Sequence, residues 1–374
     1  MFFLRSLDSS LPLNLLFILA ALAGLGFLIG FHELGHFLFC KLFNIRTPSF
    51  SIGFGPRLIT KKIGDTEFAL SAIPLGGYVE IAGNAEIAQG EQKDALAHDE
   101  RSFASKPYYQ KLLVLIGGIL FNLFFAYFAL ILLVAIGGLP KTTPAIDSVQ
   151  EASAAAKYGL MENDIITAIN GQAINGDWDK AKSIIVSLPD QEAQFTISRN
   201  GQELTLPIVV GHQEEHGKTI GILGITPKLG GYEKLPFWQA IGMGITKTNT
   251  LIMDTITGLK RIFFKGELKG AQGPIAILSI ITKGISQGFG TFIFLLALIS
   301  INLAILNLIP LPILDGGQIV YVTIEAIIGR PLPLKVREYI HIASWIFMLG
   351  LILYMTTNDI YKLIAPYLGK IFGR

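Results

Sequence analysis

Residues 11–42 read LPLNLLFILAALAGLGFLIGFHELGHFLFCKL. Leu11 to Phe31 is 21 residues without a charge, and the apolar run continues to Phe39, broken only by His32, Glu33 and His36. About 20 apolar residues in a helix cross the hydrocarbon core of a bilayer, so this stretch predicts a transmembrane helix. It fits a cleaved signal peptide poorly. The run is too long, only Arg5 precedes it, and no small-residue cleavage site comes before Lys41. The same test, carried outward, finds three more spans at Leu112–Leu139, Phe289–Leu314 and Ile340–Thr357. Ile275 to Thr282 is too short to cross alone and reads as interfacial or packed against protein.

The composition agrees with a membrane protein. Of 374 residues, 51% are hydrophobic and only 16% are charged. Thirty Lys and Arg against 28 Asp and Glu leave a net charge of +2, far from the basic excess that nucleic-acid binding needs, so nucleic acid is excluded as a partner. The single cysteine, Cys40, rules out an internal disulfide framework.

Short loops fix the expected orientation. Lys41, Arg46, Arg57, Lys61 and Lys62 follow the first span, Lys106 and Lys111 precede the second, and Arg330, Lys335 and Arg337 precede the fourth. Positive loops stay in the cytoplasm, which leaves the long segment 140–288 outside; Lys362, Lys370 and Arg374 in the tail run mildly against this. The expected fold class is a polytopic α-helical membrane protein of four transmembrane helices with two additions. A small membrane-associated β element is expected at about 66–81, and one periplasmic α+β domain is inserted at 140–230. The domain order is then an N-terminal membrane region (1–139), the inserted domain, an amphipathic helical segment on the outer membrane surface (231–270), and a C-terminal membrane region (271–374). In the inserted domain, Asn170-Gly171 and Asn200-Gly201 punctuate strands as hairpin turns.

His32-Glu33-Leu34-Gly35-His36 is an HExxH sequence, and a spacing of four on a helix puts both imidazoles on one face, able to grip one divalent metal. Glu33 is beside them, where it can take a proton from an attacking water. HExxH alone arises by chance in many helices, but ionisable groups inside an uncharged span are costly, about 2.5 kcal/mol or more per charge, and mark functional cavities. A catalytic zinc normally has three protein ligands. The third and first spans run in the same direction, and Asp315 lies near the downstream end of the third, at the depth of the two histidines. The plainer reading of Asp315 is a helix cap after the proline break at Pro310 and Pro312. Asn302 and Asn307 read equally well as groups that hold substrate and as interhelical hydrogen bonds, and Asn122 carries the same ambiguity.

Taken together, HELGH at 32–36, FSIGFGPRL at 50–58, IPLGGYV at 73–79, GGILFN at 117–122, GPI at 273–275 and NLIPLPILDGG at 307–317 resemble the site-2 protease family of intramembrane zinc metalloproteases over essentially the whole chain. The resemblance implies that His32, His36 and Asp315 bind one Zn²⁺, that Glu33 is the catalytic acid and base, and that Asn307, with Asn302 beside it, holds substrate. It further implies that residues 66–81 receive an extended substrate. Residues 152–174 look like a stretch of a PDZ domain, a module that takes peptides along a sheet edge. Segment 140–230 has room for one such domain, where some members of the family carry two. The expected activity is cleavage of transmembrane segments of single-pass proteins, such as a trimmed anti-sigma factor or a remnant signal peptide, in a bacterial inner membrane. The rivals from other classes are a noncatalytic membrane adaptor that works through its PDZ-like domain and a transporter with a broken helix.

Overall fold

The computed structural model describes residues 11–84, 99–215, 218–266 and 272–371. Arg5, weighed above against a signal peptide, Arg374, used for orientation, and the 270/271 boundary lie outside the described residues. The chain divides into two compact units. One spans Val134–Ala240, wider than the 140–230 read from the sequence, and the other holds the residues up to Leu133 and from Ile241 onward.

Among the described residues of the membrane unit, four helices are long and apolar enough to cross a bilayer: α1 (Leu11–Leu42), α2 (Tyr108–Gly137), α7 (Phe289–Leu306) and α9 (Leu334–Ile371). α7 stops at Leu306, eight residues short of the span read from the sequence. Pro310 and Pro312 lack the N–H that helix needs, and the chain turns back so that Gly316 N–H donates to the Asn307 carbonyl at 2.6 Å. A new helix, α8 (Asp315–Ile328), starts there. α6 (Pro274–Ser286), the short apolar stretch, is packed against protein: Gly284 lies on Leu295 of α7, and both carboxylate oxygens of Asp359 in α9 accept from its first turn, from Gly273 N–H at 3.1 Å and Ala276 N–H at 3.0 Å.

The β element is larger than predicted. β1 (Ser49–Ile63), which contains FSIGFGPRL, pairs antiparallel with β2 (Thr66–Val79). Phe50, Ser51 and Ile52 each have two partners in β2, so the start of β1 lies between Phe68–Leu70 and Gly77–Val79. Thr66 ties this sheet to the end of α1, because its hydroxyl accepts from Lys41 Nζ at 2.9 Å and donates to the Thr47 carbonyl at 2.7 Å. An apolar cluster of Cys40, Ile45, Phe50, Val79, Val114 and Leu115 fills the space between sheet, α1 and α2.

The inserted unit contains β3 (Leu139–Val149), α3 (Ala154–Lys157), β4 (Ile165–Ile169), β5 (Gln172–Ala173), α4 (Trp178–Val186), β6 (Glu192–Arg199), β7 (Gln202–Val209), β8 (Gly211–Glu215), β9 (Lys218–Ile222) and β10 (Ile225–Glu233). Its main sheet runs β10-β3-β4-β6-β7, with β5 on β4, and β8 pairs with β9. Ser153 and Asp177 cap α3 and α4 by accepting from Ala156 and Lys180 N–H. Alternating inward residues, among them Ile146, Ile166, Ile169, Phe195, Ile197 and Ile208, form one fully buried core. Asn170, Gly171, Asn200 and Gly201 have positive φ, the conformation expected of these two-residue hairpin turns.

The segment expected as amphipathic helices on the outer membrane surface is a single helix, α5 (Phe237–Lys265). Its Leu251 and Ile252 pack on Ala126 and Ala129 of α2 and Ala297 of α7, and the Thr255 hydroxyl donates to Asn302 Oδ1 at 3.1 Å. Part of the apolar stripe thus meets two spanning helices, while Trp238 and Ile245 of the same helix are exposed.

Candidate metal centre

The centre is built where α1 and α2 come closest. Gly35 packs on Gly117, and a side chain at either would run into the other's backbone. Gly118, the next residue of α2, sits directly over the rings of His32 and His36, where only hydrogen fits. The two histidines are one helical turn apart, and their rings meet edge to face with centroids 4.8 Å apart. They are 8% and 5% exposed. Asp315, the first residue of α8, reaches them from the other side: Oδ2 is 3.2 Å from His32 Nε2, and Oδ1 is 3.4 Å from His36 Nε2. A carboxylate suits a helix N-terminus, where the backbone N–H groups carry partial positive charge.

One ligand atom from each of His32, His36 and Asp315 lies within 4.8 Å of the others. Two imidazoles and one carboxylate are a donor set of catalytic zinc, and three protein ligands leave a fourth position open. The orientation of His36 is fixed by the Val114 carbonyl, 2.8 Å from Nδ1. A carbonyl only accepts, so Nδ1 carries the hydrogen and Nε2 keeps its lone pair for a metal. The residues therefore fit Zn²⁺.

Glu33 stands beside this group, and its Oε2 accepts from Val79 N–H at 3.1 Å, which joins β2 to the HExxH helix. A cavity of about 290 Å³ opens over the site. Its lining includes His32, Glu33, His36, Asp315 and Asn307 together with Phe54, Gly77 and Val79 of the sheet. The two asparagines separate. Asn307 reaches the centre, with Nδ2 3.2 Å from His32 Nε2, whereas Asn302 is not among the lining residues and its amide oxygen is taken by Thr255 of α5. Asn122, fully buried, also borders the cavity, with its side-chain amide 3.1 Å from His32 Nδ1.

Sequence reasoning passed over His341 and Trp345. Both line the cavity from α9, and His341 is 8% exposed, with no hydrogen-bond partner for its Nδ1 among the described residues. The available signal was a lone imidazole in an otherwise apolar span.

Two buried histidines on a helix long and apolar enough to cross a membrane, a carboxylate at the start of α8, a glutamate beside them and a cavity above fit a membrane-embedded metallohydrolase. The chain belongs to peptidase family M50, the site-2 proteases, whose profile matches residues 20–351. It is similar to a protein of Fusobacterium nucleatum named as a zinc metalloprotease, with 33% identity over 350 residues that cover 92% of this chain and 98% of that one. A protein of Campylobacter jejuni with the same designation is 33% identical over 356 residues, covering 93% and 94%. The regulator of sigma-W protease RasP of Bacillus subtilis is 27% identical over 413 residues, covering 90% and 96%. The chain is an intramembrane zinc metalloprotease of regulated proteolysis, and the adaptor and transporter readings fall away.

Proposed function

We propose that His32, His36 and Asp315 hold the zinc, that Glu33 is the general base and acid, and that the substrate is the transmembrane segment of a single-pass protein. The observation that carries this reading is the meeting of α1 and α8 at three metal-type donors, with the one glutamate of α1 at their side. Zinc, when bound, supplies a Lewis acid that polarises the scissile carbonyl and activates water. Glu33 takes the proton of the attacking water and delivers it to the leaving amine. The Val79 N–H holds one Glu33 oxygen, leaving the other to meet water. Carbonyls in a helix are already hydrogen-bonded, so the segment to be cut must be unwound before it can react. Gly77 and Val79 at the cavity wall support a reading in which β2 receives it as an extended strand. Asn307, whose amide already faces the centre, is the substrate-holding asparagine.

The basic loops support a reading in which the ends of α1 and α7 near the centre face the cytoplasmic side of a bacterial inner membrane and the PDZ-like unit is periplasmic. One relative's name concerns sigma-W regulation, which supports an anti-sigma factor trimmed by an earlier outer cut as one substrate, and a remnant signal peptide as another. The PDZ-like unit then screens or binds the trimmed end. Asp315→Asn tests the ligand set: the purified variant should lose most of its zinc, and a full complement would remove Asp315 from the shell. Membrane fragments that accumulate in cells with Glu33→Gln but not with the active protein identify the substrates; no difference between the two would overturn the substrate class.

A further inference from the structure

The two histidines are held differently behind the centre. His36 Nδ1 faces a backbone carbonyl, which admits one tautomer. His32 Nδ1 faces the side-chain amide of Asn122, which is a donor at one end and an acceptor at the other. His32 Nε2 points inward, 3.2 Å each from Asp315 Oδ2, His36 Nε2 and Asn307 Nδ2. To bind a metal through that nitrogen, neutral His32 must carry its hydrogen on Nδ1, and a hydrogen there needs an acceptor. With Nδ2 toward the ring, Asn122 offers a donor instead, and its Oδ1 is buried with no hydrogen-bond partner among the described residues. A half-turn of the amide about Cβ–Cγ breaks no bond to Oδ1 and puts that oxygen against the imidazole.

We infer that Asn122 is the positioning residue of the zinc site: its side-chain carbonyl accepts from His32 Nδ1–H, fixes the tautomer that presents Nε2 to the metal, and sets the ring's direction. The backbone supports this placement. Asn122 lies one helical turn after Gly118, the residue that admits both rings, and its backbone carbonyl accepts from Ser300 Oγ of α7 at 2.9 Å. The side-chain amide thus faces α1, while the backbone that carries it is tied to α7. Partners of this kind typically govern metal affinity by about 10- to 100-fold.

The inference rests on the proposed ligand set, and its test separates the two. Zinc dissociation constants are measured by chelator competition on the purified full-length protein in detergent, for the parent, Asn122→Leu, Asn122→Asp and His32→Ala. Asn122→Leu keeps the volume and removes the acceptor, so its affinity should fall by about 10- to 100-fold, while its metal-free melting temperature stays level or rises. Asn122→Asp restores an acceptor and should hold zinc within a few-fold of the parent. Parent-like affinity in Asn122→Leu overturns the inference. So does a metal-free melting temperature that drops along with the affinity, which is the mark of a packing role. Should Asn122→Asp fail to fold, the leucine variant's affinity and metal-free melting decide the matter alone. A His32→Ala protein that still binds zinc like the parent would instead overturn the ligand set.

Discussion

Replacing Gly118 with alanine adds one methyl group at the point where α2 faces the two histidines. The added Cβ would lie 2.5 Å from His32 Cε1 and closer still to His36 Nε2, whereas ordinary contact begins at 3.4 Å. The His32 ring must then withdraw by about 0.9 Å, since α2 cannot retreat alone while Gly117 packs on Gly35. Metal–ligand distances hold within about 0.2 Å, so the displacement is several times what a zinc shell tolerates. A misplacement of about 1 Å in a catalytic group costs on the order of 100-fold in rate. Gly118→Ala should therefore weaken zinc binding and lower cleavage of a reporter membrane helix by roughly 100-fold, with helix content by circular dichroism unchanged. Gly350→Ala is the control, because nothing lies within 4 Å of its added Cβ, and it should be neutral. Parent-like zinc affinity and turnover in Gly118→Ala would refute the close approach on which the centre depends.

Three other perturbations test separate features. Val79→Pro deletes the N–H that Glu33 accepts; the variant should keep its zinc and lose roughly 10-fold or more in kcat, as expected for a hydrogen bond to a charged group, and unchanged kcat would deny the β element any hold on Glu33. In the inserted unit, burial alone would push the Asp164 carboxyl up, but two hydrogen bonds from Arg199 at 2.7 Å and one from Met161 N–H at 2.8 Å hold it below its ordinary value. A depressed carboxyl stabilises the fold above the unfolded pKa of about 3.9 and loses that contribution as pH falls through the folded value, so the unit should keep its stability down to about pH 4 and weaken below. Asp164→Asn should cost roughly 3 kcal/mol at neutral pH and flatten the acid limb, read by hydrogen exchange of β4 and β6 in the full chain; an unaltered acid limb would remove Asp164 as its cause. His341→Leu removes a polar group without a hydrogen-bond partner for its Nδ1, a burden of about 1–3 kcal/mol, so its melting temperature should not fall; a drop would show that the imidazole is held.

Much of this was legible because the bilayer amplifies the signal. In an uncharged helix, His32, Glu33 and His36 stand out, and Asp315 follows from the direction of the spans. The strand β1 was harder to read. Gly53 and Gly55 have φ of +89° and +84°, which break the alternation that marks a strand, and its pairing depends on β2 folding back on it. In α5 an apolar stripe with threonines and lysines between reads alike whether it faces lipid or other helices, and only the tertiary contacts of Thr255 and Leu251 show which part of it packs on protein. The two asparagines were separable in principle. A spacing of five residues on a helix turns the side chain by about 140°, so Asn302 and Asn307 could not share a face, and α7 delivers only the second to the cavity. His341 belongs to no motif, and nothing short of the fold brings α9 over the site.

The mechanism stands most directly on Glu33. Purified parent and Glu33→Gln proteins, reconstituted with a reporter membrane helix and analysed for zinc, give the deciding measurement. The mechanism predicts about one zinc per chain in both, as three ligands and an open fourth position require, with cleavage in the parent and none in Glu33→Gln. Equal turnover by the two proteins, with zinc bound in each, would contradict it.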